Sequence, residues 1–184
     1  RRIDDNQRNR VWDSFPTHAA SAMSVGIMGM GVMGQDSAAR LRDLGFRVAG
    51  WSRSRKTMAG VVSLSGPAEF DAFLARTDIL VSLLPATPET DGIINRATIR
   101  KLSRKGPFGA PIVINAGRGR QQVADDIVAC LDAGELHAAT LAAHAIRPPR
   151  ATEEKGSLMG KKRFVIVRTV VPLDQPSLKE EKIL

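Results

Sequence analysis

The sequence of 184 residues contains one cysteine, Cys130, and no tyrosine, and only 4% of its residues are aromatic. A single cysteine cannot form an internal disulfide and suits the reducing cytosol, so we expect a cytoplasmic protein. No apolar run is long enough to span a bilayer, and no signal peptide is visible. The net charge is +8, but so few aromatic residues offer no platform for stacking bases. We therefore expect neither a membrane nor a nucleic acid as a partner.

Short apolar segments alternate with segments of helical periodicity between residues 24 and 141. This pattern predicts strands at 24–28, 46–51, 61–62, 78–84, 111–115 and 136–141, and helices at 32–44, 68–75, 94–103 and 123–131. Alternating strands and helices are typical of a parallel sheet with helices on both faces. The sequence therefore predicts an α/β fold, a doubly wound parallel sheet of the Rossmann type in three layers, with its ligand at the carboxyl ends of the strands.

Three glycines, Gly29, Gly31 and Gly34, follow the first predicted strand and lead into the first predicted helix. In this setting their G-x-G-x-x-G spacing is typical of dinucleotide binding. Gly29 permits the tight turn, Gly31 lets the pyrophosphate approach the backbone, and Gly34 lets the helix pack on the strand. The amides of Val32 and Met33 are expected to face the pyrophosphate at the helix N-terminus.

No acidic residue follows the second predicted strand, where NAD-binding proteins place a carboxylate against the ribose 2′-hydroxyl. The chain instead has a basic, hydroxyl-rich segment there: Trp51, Ser52, Arg53, Ser54, Arg55 and Lys56. Guanidinium and hydroxyl groups suit a 2′-phosphate. We therefore predict that residues 51–55 bind the cofactor and that NADP(H) is preferred over NAD(H). The alternative is a solvated basic turn.

Two further segments follow the fourth and fifth predicted strands. One runs from Leu84 and Pro85 to Thr90 through Thr-Pro-Glu-Thr, and the other is Asn-Ala-Gly-Arg-Gly at 115–119. Together with the glycine-rich turn they closely resemble the cofactor-binding domain of the NAD(P)-dependent D-2-hydroxyacid dehydrogenases, and among these the glyoxylate/hydroxypyruvate reductases most. The β-hydroxyacid dehydrogenases resemble residues 26–55 nearly as well, but they do not account for these two segments.

The resemblance implies an oxidoreductase that reduces a small 2-keto acid, of the glyoxylate or hydroxypyruvate type, with hydride from NADPH. Arg118 would be catalytic, because a guanidinium can bind the substrate carboxylate in bidentate fashion and polarise the ketone. The residues implied beside the cofactor are Leu84, Pro85, Thr90, Ala116 and Gly117. No metal is expected. Dimers of this family use the outer helices of the cofactor domain, so the resemblance also implies that a homodimer can form.

The resemblance ends after the sixth predicted strand. The family there has an Asp beside the nicotinamide, then a Glu and a Pro-His pair that donates the proton; here Ala142 follows Leu141, and neither feature occurs at the expected spacing. His144 is the candidate proton donor, although it comes far earlier than the family's histidine, and an incidental loop histidine is the alternative. This loss also suits a non-catalytic NADP-binding or sensing protein.

The sequence therefore predicts three regions. Residues 1–23 are a connecting helix and linker, and residues 24–141 are an NADP-binding Rossmann domain. Residues 142–184 are a divergent and partly irregular tail, in which residues 164–167 form a further strand.

Overall fold

A computed structural model of the chain describes residues 6–12 and 18–141, together with the backbone of residues 164–165. The strands of this part form one parallel sheet in the order β3-β2-β1-β4-β5-β6-β7. They are β1 (Ser24–Met28), β2 (Arg47–Ser52), β3 (Val61–Ser65), β4 (Ile79–Ser82), β5 (Ile112–Asn115), β6 (Ala138–Leu141) and β7 (Phe164–Val165). The α-helices with complete bounds are α1 (Val32–Asp43), α2 (Phe70–Leu74), α3 (Arg96–Lys101) and α4 (Ala124–Asp132). Short 3₁₀ turns lie at Ala20–Ala22, Pro67–Glu69, Pro88–Thr90 and Gly119–Gln121.

The strand order reverses at β1, which pairs with β2 on one side and with β4 on the other. At its carboxyl end Met28 lies opposite Trp51 of β2 and Ser82 of β4. The loops that follow these strands therefore diverge on either side of β1 and leave a crevice between them. Open α/β sheets bind their ligands in such a crevice.

Helices cover both faces of the sheet. On one face, Val25 and Ile27 of β1 pack with Ala38 of α1 in a buried apolar cluster. A second buried cluster on the other face joins strand residues to the remaining helices: Met28, Leu80, Val113, Phe73, Ile99 and Ile127. Side chains that alternate between the two clusters along β1 give the three layers, as expected for a strand buried on both sides.

The predicted doubly wound parallel sheet in three layers is confirmed, and six predicted strands overlap β1 to β6. The third strand is longer than the sequence predicts, because all of Val61–Ser65 pairs in register with β2. The helix predicted at 68–75 divides into the 3₁₀ turn Pro67–Glu69 and α2. The amide of Phe70 donates to the carbonyl of Pro67, which closes the tighter turn first.

The terminal regions are described only in part. Residues 6–8 are helical and a 3₁₀ turn at Ala20–Ala22 leads into β1. Of the strand predicted at 164–167, the first two residues form β7, and residues 166–167 lie outside the described part. The three-region division of the chain stays a prediction. Among the described residues, the helices are too short or too polar to cross a bilayer.

Candidate active site

The turn after β1 is built around a glycine in the left-handed region. Gly29 has φ of 101°, and its amide donates to the carbonyl of Trp51 at 2.8 Å, which ties the turn to β2. A Cβ on Gly29 would lie 2.8 Å from the carbonyl oxygen of Leu83. A Cβ on Gly34 would overlap the carbonyl oxygen of Gly29, so α1 begins directly against the turn. The protein backbone itself therefore requires both of these glycines.

Gly31 differs from its neighbours because nothing lies within 4 Å of a Cβ added to it. Its φ of −74° and ψ of −163° also suit any residue. The first bond of α1 runs from the amide of Gln35 to the carbonyl of Gly31, so the amides of Val32 and Met33 have no acceptor inside the helix. Free amides beside an open glycine form a cradle that fits a pyrophosphate group.

The indole of Trp51 is held by the protein. Its Nε1 donates to the carbonyl of Gly66 at 2.9 Å, and its ring centroid lies 4.7 Å from that of Phe70. The next residue, Ser52, donates its hydroxyl to the carbonyl of Ser54 at 2.7 Å. These contacts shape the segment that follows β2, and they leave the hydroxyl oxygen of Ser52 able to accept further hydrogen bonds.

The two arginines of this segment have different surroundings. Arg55 donates one guanidinium nitrogen to the carbonyl of Ser63 at 2.6 Å, and the other to both carboxylate oxygens of Glu69 at 2.6 and 2.7 Å. Glu69 also accepts from the amide of Ser65 at 2.6 Å, and this bond, with that from Arg55, lowers the pKa of the Glu69 carboxyl. Arg53 is exposed and has no hydrogen bond or ion pair with the described residues. Arg53 is therefore the guanidinium free to bind an anion.

A self-supporting loop follows β4. Thr90 donates its hydroxyl to the carbonyl of Pro85 at 2.7 Å and accepts from the amide of Thr87 at 2.9 Å. Pro85 is exposed, whereas the side chain of Leu84 is buried in the core. The hydroxyl of Thr90 thus fixes the loop, and the exposed ring of Pro85 is the surface that the loop presents.

Glu89 in the same loop has a lowered pKa. The hydroxyl of Thr87 is the largest cause, the Glu89 backbone amide adds to it, and the charge of Arg53 contributes as well. The loops after β2 and β4 follow two strands that both pair with β1 in parallel. The predicted residues of these two loops therefore lie on the same side of the sheet.

The loop after β5 presents Arg118 to solvent. Asn115 accepts from the amide of Gly117 at 3.0 Å and donates to the carbonyl of Arg118 at 3.1 Å, which shapes the turn. The guanidinium of Arg118 donates to the carbonyl of Gly117 at 3.1 Å and has no ion pair with the described residues. Ala116, beside it, is also exposed. An exposed, unpaired guanidinium at the carboxyl end of a strand can bind a carboxylate.

Two buried glutamines lie behind this turn, and the sequence analysis predicts neither of them. Gln121 is fully buried, and Gln122 is 8% exposed. Gln122 accepts from the side-chain amide of Asn115 at 2.7 Å, while its own buried Nε2 has no hydrogen-bond partner among the described residues. From sequence alone, a glutamine beside a glycine-rich turn is expected to be exposed to solvent. The sequence therefore did not indicate this buried polar network.

The structure brings most of the predicted site residues to the carboxyl edge of the sheet, after β1, β2, β4 and β5. His144, the candidate proton donor, lies outside the described residues. Within the described part of the chain, no three His, Cys, Asp or Glu side chains lie where they could hold a metal ion.

Sequence comparison decides between the dehydrogenase families. Residues 1–167 match the model of the D-isomer specific 2-hydroxyacid dehydrogenase, NAD binding domain. The chain belongs to this family. The resemblance predicted from the motifs is confirmed, and the crevice described above is that of an NAD(P)-binding domain.

Individual relatives agree with this assignment. Glyoxylate/hydroxypyruvate reductase A of Yersinia enterocolitica is 35% identical over 151 residues, which cover 80% of this chain and 47% of that protein. The NADPH-dependent glyoxylate/hydroxypyruvate reductase of Sinorhizobium meliloti, solved with NADP and sulfate, is 46% identical with a TM-score of 0.76, and the match covers 89% of this chain and 51% of that one.

A probable 2-hydroxyacid dehydrogenase from Rhizobium etli, solved with NADP, HEPES and L(+)-tartaric acid, is 42% identical with a TM-score of 0.75, and the match covers 88% of this chain and 50% of that one. This dehydrogenase domain therefore spans about half the length of the relatives it matches.

Proposed function

We propose that this chain is the NADP-binding part of an oxidoreductase that reduces a small 2-keto acid, of the glyoxylate or hydroxypyruvate type, to the D-2-hydroxyacid. One observation carries the proposal. In a domain of this family, the carboxyl edge of the sheet combines an open glycine cradle at Gly31, an unpaired Arg53 and an exposed Arg118. These groups are suited to a pyrophosphate, a 2′-phosphate and a substrate carboxylate, respectively.

The cofactor preference rests on the segment after β2. The amides of Val32 and Met33 bind the pyrophosphate, and Arg53 with Ser52 binds the 2′-phosphate of NADP(H). Arg55 has a supporting role, because Glu69 and the carbonyl of Ser63 occupy its guanidinium. Residues 51–56 include no acidic residue, and Glu69 is neutralised by Arg55. Both facts support this choice, since an unpaired carboxylate there would repel a 2′-phosphate.

NADPH, held by the glycine cradle and Arg53, would supply the hydride. Arg118 binds the carboxylate of the keto acid and polarises its carbonyl, and this interaction grows stronger as negative charge develops on the carbonyl oxygen. The exposed loop carrying Pro85 borders the same crevice and would exclude water from one side of a bound cofactor. His144 remains the candidate proton donor of this chain, and homodimer formation and a cytoplasmic location stay predictions.

A second candidate function is NADP binding without turnover. The observation that favours it is in the sequence: Ala142 follows Leu141, and neither a Glu nor a Pro-His pair appears at the spacing that the family uses. A chain that binds the cofactor through the glycine cradle and Arg53, but has no proton donor, would report on NADP(H) rather than consume it.

Titration of the purified chain separates these possibilities. NADPH and NADH are added in turn while nicotinamide fluorescence is followed, and glyoxylate or hydroxypyruvate is then supplied while the nicotinamide absorbance is recorded. We expect NADPH to bind more tightly than NADH, and the absorbance to fall once the keto acid is present. Tighter binding of NADH would contradict the cofactor preference. Tight binding of NADPH with a constant absorbance would favour the second candidate.

A further inference from the structure

One buried side chain, that of Gln121, connects the loop after β4 with the turn after β5 that carries Arg118. Gln121 ends the 3₁₀ turn Gly119–Gln121, which directly follows Arg118, and it is fully buried. A buried side-chain amide is stable only where its donors and acceptors find partners. The partners of Gln121 therefore indicate what the residue holds in place.

Both the nitrogen and the oxygen of the Gln121 side-chain amide form hydrogen bonds. Its Nε2 donates to the carbonyl of Leu84 at 2.6 Å and to that of Pro85 at 3.1 Å. Its Oε1 accepts from the hydroxyl of Ser82 at 3.0 Å and from the backbone amide of Arg118 at 3.4 Å. One side chain thus joins the end of β4 and the loop after it to the turn that carries Arg118.

The surrounding backbone is shaped around this amide. A Cβ on Gly117 would overlap Oε1 of Gln121 and would lie 3.0 Å from the carbonyl oxygen of Leu84. From the other side, the amide of Ile94 donates to the backbone carbonyl of Gln121 at 2.8 Å, which fixes the turn itself. The position of the side chain is therefore determined at both ends.

We propose that Gln121 is a positioning residue, which sets Arg118 relative to the loop after β4 through the carbonyls of Leu84 and Pro85. The inference rests on the proposed function, in which Arg118 binds the keto acid and the loop after β4 borders the cofactor. An apolar side chain of similar size would fill the same space but would leave the carbonyl of Leu84 without a donor and the hydroxyl of Ser82 without this acceptor. The loop after β4 and the turn that carries Arg118 would then be free to move relative to each other at the carboxyl edge of the sheet.

The test compares Gln121→Met with a matched control, Thr77→Val, in the full chain. Methionine has nearly the length and volume of glutamine but forms none of the four hydrogen bonds. Thr77 is also fully buried, precedes β4 at its amino end, and donates to the carbonyl of Phe73 at 2.8 Å. Valine at this position removes a buried hydrogen bond far from the crevice, so the control reports what a general loss of stability does.

Two measurements are made on the wild-type chain and both variants. Amide hydrogen exchange of the ligand-free chain is followed in peptides covering residues 83–92 and 116–123. We expect Gln121→Met to exchange at least about tenfold faster in both peptides, because their shared anchor is lost, and Thr77→Val to match the wild type there. We also expect NADPH to bind about tenfold more weakly to Gln121→Met and within about twofold of wild type to Thr77→Val.

Unchanged exchange in either peptide of Gln121→Met would overturn the inference. The inference would also be overturned if Gln121→Met bound NADPH as tightly as wild type. The same conclusion would follow if Thr77→Val lost NADPH affinity to the same extent for the same loss of stability. If the wild-type chain binds no NADPH, the proposed function fails, while hydrogen exchange still decides whether Gln121 couples the two loops. The two failures are thus distinguishable.

Discussion

Gly31 and Gly34 of the first turn are required for different physical reasons, and mutation can distinguish these reasons. Gly34 lies against the carbonyl oxygen of Gly29, whereas a Cβ on Gly31 would meet no protein atom within 4 Å. The open space beside Gly31 lies where the free amides of Val32 and Met33 begin the helix. Open space beside a glycine in this turn allows a ligand to approach the backbone closely.

We expect Gly31→Ala to fold with a melting temperature within about 2 °C of wild type, because its backbone angles suit alanine. The same variant is expected to lose at least about tenfold in NADPH affinity, because the new methyl group occupies the place of the pyrophosphate. Gly34→Ala is the matched comparison and is expected to lower the melting temperature by about 5 °C or more. Differential scanning fluorimetry and fluorescence titration measure both effects. NADPH binding unchanged by Gly31→Ala would show that the turn does not hold the cofactor.

At Arg53 the prediction concerns cofactor choice. We expect Arg53→Ala to weaken NADPH binding by about 10- to 100-fold, because a charge-assisted contact with the 2′-phosphate is removed. NADH, which lacks that phosphate, is expected to bind within about twofold of wild type. Arg76→Ala is a suitable control, since Arg76 is exposed and, among the described residues, forms its hydrogen bond with the carbonyl of Ala72. Parallel titrations with NADPH and NADH give the ratio of the two dissociation constants. An equal loss of affinity for both nucleotides would show that Arg53 does not bind the 2′-phosphate.

At the scale of elements, an ion-pair cluster ties α3 to the turn before β6. Glu135 accepts from Arg100 at 2.8 Å and from Arg96 at 3.0 Å, both on α3. The guanidiniums of Arg100 and then Arg96 hold the pKa of the Glu135 carboxyl well below its ordinary value, and burial opposes them. The connection is not visible in the sequence, because its partners are separated by 35 and 39 residues.

This depressed pKa has a consequence for acid stability. The stabilisation from ionised Glu135 is fully present above the pKa of a glutamate in the unfolded chain, about 4.3. It decreases as the pH falls from there towards the lower pKa of the folded state. We therefore expect Glu135→Gln to unfold at lower urea concentration than wild type at pH 7, and this difference to shrink below about pH 4.

Urea unfolding at several pH values measures this difference directly. Asp71→Asn provides the control, because Asp71 pairs with Lys101 on the surface, where half or more of each side chain is exposed, and exposed pairs contribute little to stability. A difference between wild type and Glu135→Gln that is constant from pH 7 to pH 3 would argue against the depressed pKa.

Local sequence patterns predict the helices and strands well, but they predict the side-chain contacts between those elements poorly. Apolar runs and glycine stops mark β1, α1 and β2, because the forces that form them act over a few residues. The glycine cradle is equally local. The pairing of Arg55 with Glu69 is not, since nothing in the segment after β2 shows that a carboxylate will lie beside it. The sequence therefore offers Arg53 and Arg55 as equal candidates, and only the fold distinguishes them.

At the scale of the whole molecule, the candidate site lies along the carboxyl edge of a sheet whose two faces are buried. Residues from four loops meet there because parallel strands place their carboxyl ends together. This is why the prediction of a doubly wound parallel sheet already places the ligand at the carboxyl ends of the strands. Gln121 lies beyond such reasoning, since its fourfold pairing depends on how the loops after β4 and β5 are spaced in three dimensions.

Cys130 lies in the core, so the rate at which its thiol reacts can measure how often the core opens. This residue is on α4, its side chain is fully buried, and burial, together with its hydrogen bond to Glu135, raises the thiol pKa to about 11. Because the thiolate is the reactive form, the folded chain offers almost no nucleophile near pH 8. A disulfide reagent is therefore expected to label Cys130 only when the core opens.

We expect labelling at pH 8 to be slow in buffer, fast in urea, and slowed further by NADPH, since a ligand that binds only the folded state lowers the open population. At 100 times its dissociation constant, NADPH is expected to slow labelling by about 100-fold. NADH at the same concentration is expected to protect less, which gives the cofactor preference without an optical signal from the nucleotide. The chain in denaturing urea, labelled with and without NADPH, is the control. A labelling rate that NADPH changes there would show that the slowing does not come from binding to the folded chain. A labelling rate that moderate urea does not raise would show that Cys130 reacts without opening of the core.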